Sequence, residues 1–129
     1  MKNLNEFDPI DPTIAREMVE AYGVDASRAN AQSYTKAVWF PAAQILQMAE
    51  KIKEGNHDGL RIYFAKYLAD GLTDIPEAHK GRNTVLLVPT FAAGKTNQLG
   101  ATTAAHEDDL SDIENRGALC PSVCDGAEL

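Results

Sequence analysis

The sequence predicts an α+β domain: a small mixed β-sheet, two helices packed on one face of it, and a long irregular C-terminal extension. Three observations carry this. Two stretches repeat apolar residues at helical spacing. Three stretches are rich in β-branched and aromatic residues. The last third of the chain is short of large apolar side chains and holds most of the negative charge. At 129 residues one domain accounts for the whole chain, 1–129.

The first helix starts at Asp11-Pro12. Asp can cap free N–H groups, and Pro suits the first helical position. Ile14, Met18 and Tyr22 follow at i, i+4 and i+8, with Ala15 and Val19 widening the stripe. Gly23 is placed to end this helix. Residues 24–34 are small and polar and read as a loop. Thr35-Lys36-Ala37-Val38-Trp39-Phe40 reads as a strand. Pro41 stops it and opens a second helix, whose stripe is Ile45, Met48, Ala49 and Ile52. Gly55 closes that helix.

Asp58-Gly59 is a turn signal. Leu60 through Tyr67 then reads as a strand, with Leu60, Ile62 and Phe64 on one face and Arg61, Tyr63, Ala65 and Tyr67 on the other. After a polar connection over 69–82, residues 83–90 read as a buried strand, and Pro89 marks an edge or the end of regular pairing. The strand–helix–strand unit over 35–67 is expected to be a right-handed parallel crossover. Strands 60–67 and 83–90 are expected to be antiparallel neighbours.

The formal charge is −7. Residues 1–93, the α/β core, hold 10 basic and 12 acidic residues. Residues 94–129 hold Lys95 and Arg116 against seven acidic residues, a net of −5. This acidic extension is expected to lie over the core and to supply one or two further strands or cover its other face. The balance argues against a nucleic-acid partner, which needs a basic face. An apolar content of 44% argues against wholesale disorder. No apolar run approaches the roughly 18–20 residues that span a bilayer, so no membrane partner is expected. The first residues show no secretory signal and the last match no lipidation or retention motif. The expected location is cytoplasmic, where thiols are the expected state of Cys120 and Cys124.

Three segments together, Thr35 to Phe40, Asp58 to Tyr67 and Asn115 to Cys124, resemble a group of small uncharacterised proteins of Bacteroidetes-type bacteria. The resemblance covers roughly 14–124 of the chain. It implies a bacterial origin and a shared fold. It brings no activity, so no catalytic residue is carried over.

Few residues offer chemistry. Cys120-Pro121-Ser122-Val123-Cys124 has a spacing compatible with Zn²⁺, with His106, His79, His57 or a carboxylate completing the set. The same pair can instead be structural thiols, a local disulfide or a redox couple, although redox motifs usually space their cysteines by two. Gly94-Lys95-Thr96 resembles the end of a phosphate-binding loop. The position that needs its first glycine is Pro89, which has no N–H to offer. Arg61, Tyr63 and Lys66 lie on or beside one strand and can grip an anion with Lys36, yet the plainer reading pairs the Arg61 head with the acidic tail. Trp39 with Tyr63 would form an aromatic patch if the tail leaves that side bare. The histidines are isolated among polar neighbours, and nothing marks a Ser/His/Asp set.

Two functions compete. The first is a non-enzymatic binding or interaction module, with a protein or small molecule as partner and a homodimer formed through a sheet edge or the aromatic face. It has no cofactor, and its candidate ligand-binding residues are Arg61, Tyr63, Lys66 and Trp39. The second is a zinc- or thiol-dependent small enzyme or sensor using Cys120, Cys124 and His106.

Overall fold

The structure is a computed structural model that describes residues 8–70, 75–92, 105–121 and 123–129. Its elements run in the order α1 (Pro12–Ala29), β1 (Ala37–Trp39), α2 (Ala42–Glu54), β2 (His57–Lys66), a 3-10 turn (Glu77–His79), β3 (Asn83–Ala92), β4 (His106–Asp108) and β5 (Ala118–Cys120). The class is α+β. Among the described residues no helix is long and apolar enough to cross a membrane.

α1 runs past Gly23. A helix-interior glycine costs only about 1 kcal/mol relative to alanine, and Ala21, Ala26 and Ala29 favour continuation. Ser27 Oγ also donates to the Gly23 carbonyl at 2.5 Å. Asp11 makes no side-chain cap, and its carbonyl takes the Ala15 N–H at 2.9 Å. In α2, Pro41 precedes the helix, and its carbonyl accepts from Gln44 and Ile45. Gly55 ends α2 as expected.

The sheet differs from expectation. Instead of one mixed sheet there are two antiparallel ones, β1-β5 and β2-β3-β4. The parallel crossover over 35–67 is therefore not formed. β1 is only three residues long and takes its partner from the extension: Val38 lies opposite Leu119, which is fully buried. β2 and β3 do pair antiparallel, from Leu60↔Pro89 to Lys66↔Asn83. The Asp58-Gly59 turn is instead a bulge inside β2. The chain turns at Gly55-Asn56, where Asn56 takes a left-handed φ of 53°, a region asparagine tolerates.

β3 is the central strand, so Pro89 is not on an edge. It lies where β4 pairing stops: the ladder runs Thr90↔Asp108 to Ala92↔His106, and the Pro89 carbonyl then accepts from Asp109 N–H at 2.8 Å. Its missing N–H therefore costs no ladder bond. The extension does supply two strands, β4 and β5. Between them Glu114 exchanges two backbone bonds with Leu87. The Gly94-Lys95-Thr96 segment lies outside the described residues.

The core is small. Among the described residues its buried apolar side chains are Met48, Tyr67, Leu87, Val88, Pro89, Leu119 and Cys120. α2 contributes Met48, whereas no residue of α1 is buried. Both helices stand over the Leu60, Ile62 and Phe64 face of β2, but that face is left open.

Candidate functional site

Among the described residues the open face forms a groove of about 1290 Å³. α1 lines it with Met18, Val19 and Tyr22, and α2 with Ile45. Val38 and Phe40 reach it from the β1 segment. Its floor is Leu60, Ile62 and Phe64 of β2 with Val85 and Leu87 of β3. These floor residues share a face because Phe64 pairs with Val85 and Ile62 with Leu87. Phe64 is 91% exposed. Among the described residues the charged ones lining the groove are Lys36 and Lys66, and none of the lining residues is acidic. In a chain of −7 that is a local inversion of sign. Thr35, Asn83 and Thr84 lie with the two lysines, which makes that part of the groove polar.

The four residues expected to bind a ligand do not form one site. Arg61 and Tyr63 do grip a carboxylate, but it is the chain's own. Arg61 Nη1 donates to Asp108 Oδ1 at 2.6 Å, and the Tyr63 hydroxyl donates to the other oxygen of Asp108. The plainer reading of Arg61, a head that meets the acidic tail, is what the structure holds. Lys66 lines the groove. Trp39 lines a separate cavity of about 390 Å³ with Tyr67, Pro76 and His79. Tyr63 is not among the residues of that cavity, so the expected Trp39–Tyr63 patch is divided between two places.

His57, Asp109 and Ser111 meet at one point that sequence reasoning missed. Nε2 of His57 lies 2.8 Å from Asp109 Oδ2. Asp109 Oδ1 accepts the Ser111 hydroxyl at 2.5 Å and the Ser111 N–H at 3.0 Å. The imidazole stacks on Phe91 with ring centroids 4.5 Å apart. The order is serine–carboxylate–imidazole, so the imidazole does not touch the hydroxyl. A nucleophilic set needs the imidazole in the middle. This cluster fastens the 109–111 loop to the start of β2.

It also predicts a pH dependence. The bonds from Ser111 and then His57 hold the Asp109 carboxyl at about 2. Asp109 in turn raises His57 above its ordinary value, against the opposing effect of burial. The Asp109 contribution is complete above an unfolded carboxyl pKa of about 3.9 and is lost as pH falls toward its folded value. The His57 contribution is complete below an unfolded pKa of about 6.5 and is lost as pH rises through its raised value. The pair therefore stabilises most between about pH 4 and 6.5. Urea unfolding of wild type and Asp109→Asn should differ most in that window and less at both more acid and more alkaline pH. A constant difference would show that the pair is not the cause.

Cys120 and Cys124 are joined in a disulfide, so the free thiols expected of a reducing compartment are not what the structure holds. The zinc set is not assembled either. His106 lies in β4 and its Nδ1 is bonded to Asp58, while the cysteines lie at the end of β5 in the other sheet. Among the described residues no group of three His, Cys, Asp or Glu is placed to hold a metal. His79 is buried, and burial followed by the nearby Arg82 charge lowers its pKa.

Of the groove residues, Met18, Tyr22 and Ile45 belong to the helical stripes that the sequence shows, and Val38 and Phe40 to its first strand. Their signal is the apolar stripe itself, which is the same whether or not something covers it. No family model matches the chain, and comparison with curated proteins and with solved structures finds no match.

Proposed function

We propose that this chain is a non-enzymatic binding module whose docking site is the apolar groove between α1, α2 and the β2–β3 face. The observation that carries this reading is the groove itself. A chain this size normally closes its helices onto its sheet, because each buried aliphatic side chain contributes about 1.5–3 kcal/mol. Here Met18, Tyr22, Ile62 and Phe64 remain about half exposed or more. Contiguous exposed apolar surface of this kind marks an interaction site. The titratable groups that come together elsewhere, Arg61 with Asp108, His57 with Asp109 and His106 with Asp58, are spent on one another and hold the extension in place.

Binding of the apolar dye anilinonaphthalene sulfonate to the folded protein tests this. One saturable site is expected. The double variant Met18→Glu, Ile45→Glu should weaken it by about tenfold or more, because it places acid on both helical walls. Both side chains are about half exposed, so the urea midpoint should stay close to wild type. Dye binding unchanged in the double variant removes the groove as the site.

A further inference from the structure

Among the described residues, one side of the groove is a strand edge with no partner strand. Among the described residues β2 is ladder-paired with β3 alone. Its backbone orientation follows from what β3 does on the other side. Leu87 exchanges both its backbone bonds with Glu114, at 2.8 and 2.9 Å. The Pro89 carbonyl accepts from Asp109, and the Val85 carbonyl accepts Asn115 Nδ2 at 2.7 Å. Residues 85, 87 and 89 therefore turn their main-chain groups away from β2. In an antiparallel ladder their opposite numbers, Phe64, Ile62 and Leu60, then turn theirs outward too. Three N–H groups and three carbonyls line the outer edge. The side chains of the same three residues floor the groove. Natural edges are usually blunted with proline or charge, and none of these three positions carries either.

We infer that the β2 edge pairs antiparallel with the β2 edge of a second copy of this chain, about a twofold axis at Ile62. The inference rests on the groove being a docking surface. In this register Ile62 meets the partner's Ile62, Leu60 meets the partner's Phe64, and each such pair exchanges two N–H···O bonds. Arg61 falls opposite the partner's Tyr63, so no like charges meet. A twofold at Arg61 would set two guanidiniums against each other, and one at Tyr63 would set Leu60 against the partner's Lys66. Only the Ile62 axis pairs the three apolar edge residues among themselves. The paired stretch 59–65 holds one charged residue, Arg61, and Asp108 neutralises it at 2.6 Å. The −7 of each chain therefore lies outside the contact and opposes it only at long range. Association is expected to strengthen with salt.

Sedimentation equilibrium of the full chain, over a wide concentration range and at low and high salt, tests the pairing. The mass should approach that of two chains as concentration rises, and at lower concentration in high salt. Ile62→Lys sets like charges at the axis and should weaken association by about tenfold or more. Ile62→Pro removes an N–H that β3 does not use and should also leave single chains. The double variant Leu60→Lys, Phe64→Glu sets opposite charges across the interface and should still pair, whereas Leu60→Lys, Phe64→Lys should not. Urea midpoints confirm that each variant is folded. One-chain mass at every concentration and salt overturns the pairing, as does association indifferent to Ile62→Lys and to the double lysine variant. In either case dye binding in the groove still decides the module reading separately: if retained, the groove is a binding site without self-pairing, and if absent, both readings fall.

Discussion

Leu119→Ala is expected to destabilise the protein by about 2–5 kcal/mol, the range for deleting a buried leucine side chain. Leu119 is 0% exposed and, with Val88 and Pro89, is among the fully buried side chains of the described residues. It sits opposite Val38 in the three-residue ladder that joins β1 to β5. Gly117, two residues earlier, lies so close to this ladder that an added Cβ would stand 2.3 Å from Val38 Cγ1 and 3.0 Å from the Trp39 carbonyl. The surroundings therefore have little freedom to collapse into the space a shortened side chain leaves, which favours the upper part of the range. Domains are stable by only about 5–15 kcal/mol in all, so the loss is a large fraction of the total. Leu110 belongs to the same extension but is 76% exposed, and Leu110→Ala is expected to stay within about 0.5 kcal/mol of wild type. Urea unfolding of the two variants separates the cases. A Leu119→Ala cost below about 1 kcal/mol would mean that the β1–β5 pair is not part of the cooperative core.

The role of Leu119 shows where the sequence was legible and where it was not. Helix α2 and the β2–β3 hairpin were legible because their signals are local. A stripe at Ile45, Met48 and Ile52 needs no knowledge of its partner, and β2 and β3 are adjacent in the chain. The partner of β1 was not legible, because a three-residue strand with a partner some eighty positions away leaves no periodic trace. Chain adjacency suggested β2 instead. The end of α1 was misplaced because Gly23 carries the same signal as a cap and as a tolerated interior residue. Arg61 was legible as a group in need of a carboxylate, and the choice between an external ligand and Asp108 turned on β4 pairing with β3. The groove was half legible: its apolar residues were named from their spacing, but spacing says which way a side chain faces, not whether anything lies opposite.

The polar counterpart of Leu119 is Asn115, and Asn115→Ala is expected to cost about 2–4 kcal/mol, from unsatisfied groups at about 1–3 kcal/mol each. The Asn115 amide donates to the Val85 carbonyl at 2.7 Å and to Thr84 Oγ1 at 3.3 Å, and its oxygen accepts the Tyr67 hydroxyl at 2.5 Å. Its own backbone carbonyl accepts Gln44 Nε2 from α2 at 3.0 Å. One side chain thus ties the extension to β3 and to the end of β2, and its main chain ties it to α2. Alanine keeps the main-chain bond and removes the rest. Tyr67 and Thr84 are buried, so their hydroxyls lose a partner where water reaches poorly. Tyr67→Phe removes one of those hydroxyls and leaves the Asn115 oxygen open, at a cost of about 1 kcal/mol. Once Tyr67 is Phe, truncating Asn115 no longer strands that hydroxyl. The double variant should therefore be more stable than the two single losses predict together, by about 0.5–3 kcal/mol of coupling. Asn115→Asp separates acceptor from donors: it still accepts from Tyr67, but it turns a carboxylate toward the Val85 carbonyl and gives up both donated bonds. Its cost at neutral pH should equal or exceed that of alanine, and part of it should be recovered at acid pH, where the protonated carboxyl can donate again. Additive losses for Asn115 and Tyr67, with no acid recovery in Asn115→Asp, would show that the extension is held by its backbone bonds and Leu119 rather than by this side chain.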